Sequence, residues 1–358
     1  VRSRFPEKLP FVGIDQVNER PHIVVDGAPK KGCVLVLSHW PGSLTPRVLM
    51  RDLSAEIVFA YLERRRYWAI DARAVTNDHF DEDGLASVFA ITEPVRAFDG
   101  QKRLVAFARA GDFGVVDDLR TARSVLVVRA LADPMRSPFG SDPASSASGG
   151  ATWVAQCYEE LSPRLPEFLE APERFMDLIE DEEARYVASR EAVEDGRVGI
   201  EEHGGLGLAV VRVPESLHTA STLNFAHNKM LSMHPWAIHS ATSQPRIFVI
   251  KGGQFCYYDR YETWVRFTSR RLLKRRNLVA LAEHLSAEEC DGASWHADGP
   301  GDLVPVCAPE FGAESSLDPL RVLEILGRYL IDASVAWDPS RAPSTPGASS
   351  GGKANSLS

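Results

Sequence analysis

The N-terminal half of the chain alternates short apolar runs with polar, helix-forming stretches. Residues 21 to 26 (P-H-I-V-V-D) and 33 to 38 (C-V-L-V-L-S) are β-branched and apolar, and the second has the unbroken hydrophobicity of a strand covered on both faces. Thr45-Pro46 joins a capping hydroxyl to a proline suited to the first helical position. It predicts a helix running on through D-L-S-A-E-I-V-F-A-Y-L-E-R-R. Y-W-A-I-D-A-R-A-V-T reads as a third strand, and Leu85 to Ile91, Gln101 to Ala110 and Asp117 to Ala132 read as helices. Alternation of this kind predicts an α/β layer on a largely parallel sheet flanked by helices.

The pattern changes further on. Residues 133 to 150 are rich in Pro, Ser and Gly and predict a mobile surface loop, followed by an acidic helical region to about residue 195. V-G-I-E-E-H-G-G-L-G-L-A-V-V-R-V and R-I-F-V-I-K-G-G-Q-F-C-Y-Y are strand pairs with glycine centres, the signature of hairpins. Asn277 to Leu285 and Leu320 to Ile331 read as helices among them. The expected organisation is an α/β domain over 1–195, a smaller α/β domain over 196–335 and a disordered tail over 336–358.

Composition narrows the function classes. With 358 residues, 44% of them hydrophobic, the chain can bury a large core. Its 49 acidic and 40 basic residues give a formal charge of -9, which argues against a protein that coats duplex nucleic acid. No apolar run reaches the roughly 18 residues of a membrane span, and the first residues lack the apolar core of a signal peptide, so a cytoplasmic protein with no membrane partner is expected. Cys33, Cys157, Cys256, Cys290 and Cys307 are odd in number and form no C-x-x-C pair, so they are expected to be reduced and mostly buried.

One stretch breaks the pattern. Residues 76 to 84, T-N-D-H-F-D-E-D-G, crowd His79, Asp81 and Asp83 between two apolar segments. A solvated turn with a capping acid accounts for such a run in part. Three details point elsewhere. The positions i, i+2 and i+4 project to one side of an extended segment, giving a mixed imidazole and carboxylate set of the kind that Mn²⁺ or Zn²⁺ accepts. Gly84 at the helix entrance leaves room for a phosphate. The stretch also follows a strand, and ligands of open α/β sheets collect at the carboxyl ends of strands, where a second strand ends in His39.

H-F-D-E-D-G-L-A-S resembles the first motif, H-x-D-x-D-G-x-x-S, of the DHH phosphoesterase superfamily, whose members hydrolyse phosphoesters with divalent cations. The resemblance implies that His79, Asp81 and Asp83 hold one or two Mn²⁺ ions, with Mg²⁺ or Zn²⁺ as alternatives, and that Gly84 and Ser87 take the remaining fixed places. L-V-A-F-A-R-A-G-D-F-G-V-V-D is similar to a later motif and adds Asp112 as a ligand. W-V-R-F-T-S-R, L-V-A-L-A-E-H-L and W-H-A-D-G follow the order of the superfamily's second domain and place Arg266, Ser269 and His296 against substrate. The D-H-H triplet is absent, and the interval from Asp83 to Asp112 is too short for the usual strand, helix and strand. Either His39 substitutes for a missing histidine ligand, or the site holds one metal instead of two, or this branch has lost catalysis.

Further basic groups fit an anionic substrate. His227 and Lys229 lie in a loop-like stretch with Pro and Trp, where packed histidines compete with a phosphate contact. Arg266, Arg270, Arg271, Lys274, Arg275 and Arg276 form a dense run that reads as a solvated face or as an electrostatic funnel. No G-x-x-x-x-G-K-[ST], G-x-S-x-G or H-E-x-x-H motif occurs. The sequence thus predicts a Mn²⁺-dependent phosphoesterase acting on a phosphorylated small molecule or short single-stranded nucleic acid in a cleft between domains, with a homodimer as an option. The competing expectation is a non-catalytic binder of nucleotide or phosphate ligands.

Overall fold

A computed structural model of the chain describes residues 7–341 apart from 69, 134–148, 224–232, 291 and 311–312. The first half contains β1 (His22–Val25), β2 (Cys33–Leu37), α1 (Ser54–Arg64), β3 (Ala74–Thr76), α2 (Glu82–Thr92), α3 (Pro94–Asp99), α4 (Gln101–Phe113), α5 (Leu119–Ala132), α6 (Gly149–Leu161), α7 (Leu165–Glu170) and α8 (Met176–Glu194). The second contains β4 (Gly199–His203), β5 (Leu208–Arg212), α9 (Pro235–Ala241), β6 (Arg246–Lys251), β7 (Gln254–Asp259), α10 (Leu278–Glu288), β8 (Trp295–Ala297), β9 (Val306–Pro309) and α11 (Pro319–Asp332). The architecture is mixed α/β.

β1 is the middle strand of a parallel sheet in the order β2-β1-β3, with Ile23 beside Leu35 and Val75. Burial on both sides explains the unbroken apolar sequence: Ile23, Val24, Val25, Leu37, Ala74 and Val75 have no exposed surface. Residues 26–32 alone return the chain from β1 to its parallel neighbour, a shorter link than a helical crossover. Asp26 and Gly32, both in the left-handed region at φ 46° and 86°, make that return. All three strands point their carboxyl ends the same way. Helices α1, α2, α4 and α5 close a large core over the sheet, which also takes in Trp236, Trp264 and Val265 from the second half.

The second sheet runs β4-β5-β6-β7-β9-β8, parallel between β5 and β6 and antiparallel elsewhere. Alternate residues feed alternate faces. Phe248 and Ile250 pack under Leu281, Leu285, Ile325 and Leu326 of α10 and α11, whereas Ile247 and Val249 pack with Ala237 and Ile238 of α9.

Four expectations need correction. Thr45-Pro46 does not open the first helix: Thr45 Oγ1 donates to the Ser38 carbonyl at 2.7 Å and accepts from its amide at 2.8 Å, which folds the segment back and delays the helix to Ser54. The third strand shrinks to Ala74–Thr76. A short helix over Pro94–Asp99 is additional. Finally, Ala336 and Trp337 are not tail, because both hydrogen-bond the backbone of Arg275. The Pro/Ser/Gly-rich loop falls largely outside the described residues, as do His227, Lys229 and everything after 341. Among the described residues no helix is long and apolar enough to cross a membrane.

Candidate metal centre

The carboxyl ends of the three parallel strands deliver Asp26 from β1, His39 from β2, and Asn77, Asp78 and His79 from β3. Asp81 and Asp83 follow at the start of α2, and Asp112 enters from the end of α4. Two groups of potential ligands result, Asp26 with His79 and Asp81, and Asp26 with His39 and Asp83; within each, the ligand atoms all lie within 4.8 Å of one another. Asp26 belongs to both.

The inner group is buried. His39 Nε2 lies 3.6 Å from Asp26 Oδ1, 3.9 Å from Asp83 Oδ2 and 3.4 Å from Asp112 Oδ2. In the outer group His79 Nε2 lies 3.4 Å from Asp26 Oδ2 and 3.0 Å from Asp81 Oδ2, and both His79 and Asp81 are partly exposed. Atoms bound to one ion at about 2.1 Å and 90–110° apart sit ~3.0–3.4 Å from each other, close to these separations.

The histidine orientations test the fit. His39 Nδ1 faces the Asp52 carbonyl at 2.6 Å, so that nitrogen carries the proton and donates. Its Nε2 faces three carboxylates, so an ion placed between them would find one imidazole nitrogen and three carboxylate groups around it. His79 repeats it, with Nδ1 donating to Asp78 Oδ1 at 3.0 Å and Nε2 turned to Asp81 and Asp26. An imidazole held at Nδ1 by an oxygen acceptor is the usual support of a histidine metal ligand. Asp112 Oδ2 is buried with no hydrogen-bond donor, as an atom reserved for an ion would be. The donor set is nitrogen and oxygen without thiolate, which suits Mn²⁺ or Zn²⁺.

The scaffold supplies part of the positive potential. Asp83 accepts the Ser54 and Ala55 amides of the first turn of α1, each at 2.7 Å, and Asp26 Oδ1 accepts Ser54 Oγ at 2.6 Å. Asp81 caps α2 through the Gly84 amide at 2.7 Å, so two helix N-termini meet the acids. Burial, then Asp26 and Asp81, push the Asp83 carboxyl well above its ordinary range; burial, then Asp83, Asp81 and Asp26, do the same to Asp112. At the outer group burial is outweighed. The charge and hydrogen bond of His79, with the Gly84 amide, hold Asp81 at about 2, while Asp81, Asp26 and Asp78 raise His79 well above its usual value.

Asp112 owes its place to Gly111. A Cβ there would lie 2.8 Å from Glu82 Cγ and closer still to Glu82 Cβ, so only glycine lets α4 approach α2 this tightly. Glu82 cannot yield, because it is buried and paired with Arg129 at 2.7 Å. From the second half, Arg260 Nη2 and His239 Nδ1 meet the Phe113 carbonyl at 3.1 and 2.9 Å, gripping the end of α4 one residue past Asp112.

A family model matches residues 7–341. The chain belongs to the family of unknown function DUF6687. No curated protein and no solved structure matches it.

In this DUF6687 chain His39, His79, Asp81, Asp83 and Asp112 come together, but not as one set. His79 and Asp81 face the outer group and Asp83 the inner one, because Asp83 lies inside α2 and turns away from the extended residues before it. Gly84 offers no room to a phosphate: its amide serves Asp81, and an added Cβ would meet the Tyr158 hydroxyl and, at 2.5 Å, Asn77 Nδ2. Ser87 is fully buried within α2, out of reach of a substrate. His296 is exposed on β8 and pairs with Glu310 at 3.0 Å; among the described residues no contact joins it to the acids.

The basic run is not a uniform funnel. Arg275 is buried and donates to the Pro300, Asp302 and Leu303 carbonyls and to Thr263 Oγ1. Lys274 pairs with Asp338, Arg276 with the Leu330 carbonyl, and Arg270 with Glu262 and the Ser243 carbonyl. The Ser269 amide is occupied by Asp52 Oδ1 at 3.0 Å. Arg266 differs. Its amide donates to the His39 carbonyl at 2.9 Å, and its half-buried side chain has no polar partner among the described residues.

Sequence reasoning missed Asp26, Asp52, Asp78 and Tyr261. Asp26 carried the one available signal, an Asp-Gly directly after a buried strand, like the His39 position. Away from the centre, a surface groove of about 600 Å³ between α1 and α4, lined by Phe59, Ala60 and Val105 among others, includes none of these residues.

Proposed function

We propose that this protein is a metal-dependent phosphoesterase, a divergent relative of the DHH phosphoesterases, in which Asp26, His39, Asp83 and Asp112 hold an inner divalent cation and Asp26, His79 and Asp81 an outer one. One observation carries the reading: two histidines are each fixed through Nδ1 and turn Nε2 onto a shared, buried Asp26 flanked by further carboxylates. Packing so many carboxylates together with so few donors is unfavourable, and divalent cations at the site would relieve it. Bound there, Mn²⁺ ions would lower the pKa of water towards neutrality and offset charge on phosphoryl oxygens during in-line displacement.

The chain's own groups divide the remaining work. Asp52 and Asp78 orient the histidines and fix their tautomers. Ser54 and the α1 amides hold Asp26 and Asp83 in place. The partly exposed His79 and Asp81 put the substrate entrance on the outer side, where Trp40 packs over His79 with ring centroids 5.1 Å apart. Arg266, anchored beside His39 with a free guanidinium, is the group to clamp a substrate phosphate.

Elemental analysis of the purified protein, followed by assay with Mn²⁺ against short oligonucleotides, nucleotide bisphosphates, polyphosphate and cyclic dinucleotides, tests the reading. Bound manganese, iron or zinc and turnover of one of these classes are expected. Metal-free protein with no turnover after Mn²⁺ loading refutes it. Calorimetric uptake of a phosphate ligand without turnover, unaffected by loss of Asp81 or Asp83, favours a binding protein instead.

A further inference from the structure

The centre consists of acceptors. On the proposed reading four aspartates and two histidine nitrogens serve cations, but an oxyanion also needs hydrogen-bond donors, and among its described residues the first half of the chain directs none into the inner group beyond those spent on its own carboxylates. The second half does. Tyr261 opens a short 3₁₀ turn over Tyr261–Thr263, and its hydroxyl lies 3.4 Å from His39 Nε2, the nitrogen that faces Asp26, Asp83 and Asp112.

The ring is held firmly. It stacks on Trp264 with centroids 5.8 Å apart, meets His39 edge-on at 6.0 Å and packs against Phe113 at 6.2 Å. The preceding residue, Arg260, is buried and anchored to the Phe113 and Thr242 carbonyls and to Glu262. The hydroxyl therefore has little freedom to leave the centre, and His39 is its one polar contact among the described residues.

One lone pair cannot serve two partners. A cation that takes His39 Nε2 displaces the phenol from that nitrogen, its one polar contact among the described residues, and leaves a fixed O–H at the rim of the inner group. The geometry points to Tyr261 as a substrate-contacting residue that donates its hydroxyl proton in a hydrogen bond to a phosphoryl oxygen of the anion held at the centre. This rests on the metal-centre reading given above. No bond is broken in the step: the phenol keeps its proton, and the interaction gains strength as charge gathers on the phosphoryl oxygen.

Tyr261→Phe keeps the ring and removes the hydroxyl. In calorimetric titrations of wild-type and variant protein, first with Mn²⁺ alone and then with inorganic phosphate on the Mn²⁺-loaded forms, Mn²⁺ affinity and stoichiometry are expected to stay the same. Phosphate affinity should fall about 10-fold or more, the scale of one lost hydrogen bond to a charged acceptor. Turnover, where a substrate is found, should lose kcat with KM for the ester changed less. Equal phosphate affinity in the two proteins, or Mn²⁺-loaded wild type that binds no phosphate, overturns the assignment. So does loss of Mn²⁺ from the variant, which would make Tyr261 a metal ligand. Wild type that takes up no Mn²⁺ overturns the metal-centre reading and this inference together, while Mn²⁺ and phosphate binding without hydrolysis removes only the catalytic part.

Discussion

Gly111→Ala sets two effects of opposite sign against each other. In an ordinary helix interior the change stabilises by about 1 kcal/mol through helix propensity and a more restricted unfolded chain. At Gly111 the new methyl would stand 2.8 Å from Glu82 Cγ and nearer still to Glu82 Cβ, which is fixed to the backbone of α2. Relief requires moving α4 away or displacing Glu82 from Arg129, a buried pair at 2.7 Å. Overpacking costs typically 1–3 kcal/mol, and partial loss of a buried ion pair adds roughly 1 kcal/mol, so the net destabilisation should be about 1–3 kcal/mol. Urea denaturation reads this directly. The same displacement moves Asp112, the next residue, and Mn²⁺ affinity should drop by about tenfold or more, since ligand geometry is sensitive to such shifts. Gly327→Ala is the control. Gly327 lies inside α11, its added Cβ would find Leu206 Cδ1 no nearer than 3.7 Å, and it should stabilise by about 1 kcal/mol. If Gly111→Ala matched its control in stability and bound Mn²⁺ like the wild type, the account of how Asp112 is placed would be wrong.

Other changes give separate checks. Asp26→Asn keeps an oxygen for Ser54 Oγ but removes the charge shared by both ligand groups, so Mn²⁺ affinity should fall at least about 100-fold, some 3 kcal/mol, with the circular dichroism spectrum unchanged. His234 is buried, accepts the Trp236 amide at Nδ1, and is held down by burial, then by Arg129, at about 3. Its unfolded value near 6.5 is the higher one, so its contribution is fully present above that pH and declines as pH falls towards 3, by about 2 kcal/mol at pH 5. Denaturation of His234→Asn against wild type should show their stability difference shrinking by that amount between pH 7 and pH 5. Arg275→Lys cannot reach three carbonyls and Thr263 Oγ1 from one nitrogen, and should lose about 2–4 kcal/mol in urea denaturation while leaving Mn²⁺ affinity alone.

How much of this was legible in the sequence depended on where each residue gets its meaning. The buried strands were readable because burial on both faces forces a continuous apolar run, and His39 was readable because it ends one of them. Asp81 and Asp83 stood out as a local crowd of charge. Their assignment to different groups did not, since it depends on the helix starting at Glu82 and turning Asp83 towards His39. Asp26 was hidden for the opposite reason: Asp-Gly after a strand reads as a turn, and it does form one, at φ 46°, while also belonging to both groups of potential ligands. The basic run misled because adjacency in sequence says nothing of direction; Arg275 points into the protein, while the backbone of Arg266 meets that of His39. Tyr261 is 222 positions from His39, a contact set by tertiary packing alone.

The strain at Asp26 and the acids around it share one physical consequence. Two full like charges 4 Å apart repel by about 4 kcal/mol at the effective dielectric of a protein site, and several such pairs meet here. The amides of α1, the Ser54 hydroxyl and the start of α2 offset part of this, and on the proposed reading cations offset the rest. Those supports are the structural ends that should loosen without metal: the first turn of α1 and the last turn of α4, which carry Asp83's amide donors and Asp112. Local opening of these ends should therefore be coupled to the ion, with amide hydrogen exchange in residues 53–57 and 109–114 slowing on Mn²⁺ addition, and α10 and α11, which pack on the second sheet, serving as the unchanged reference. Exchange that stays the same at saturating Mn²⁺ would mean that the scaffold alone stabilises the acids. Their crowding would then no longer argue for a cation, however well the distances suit one.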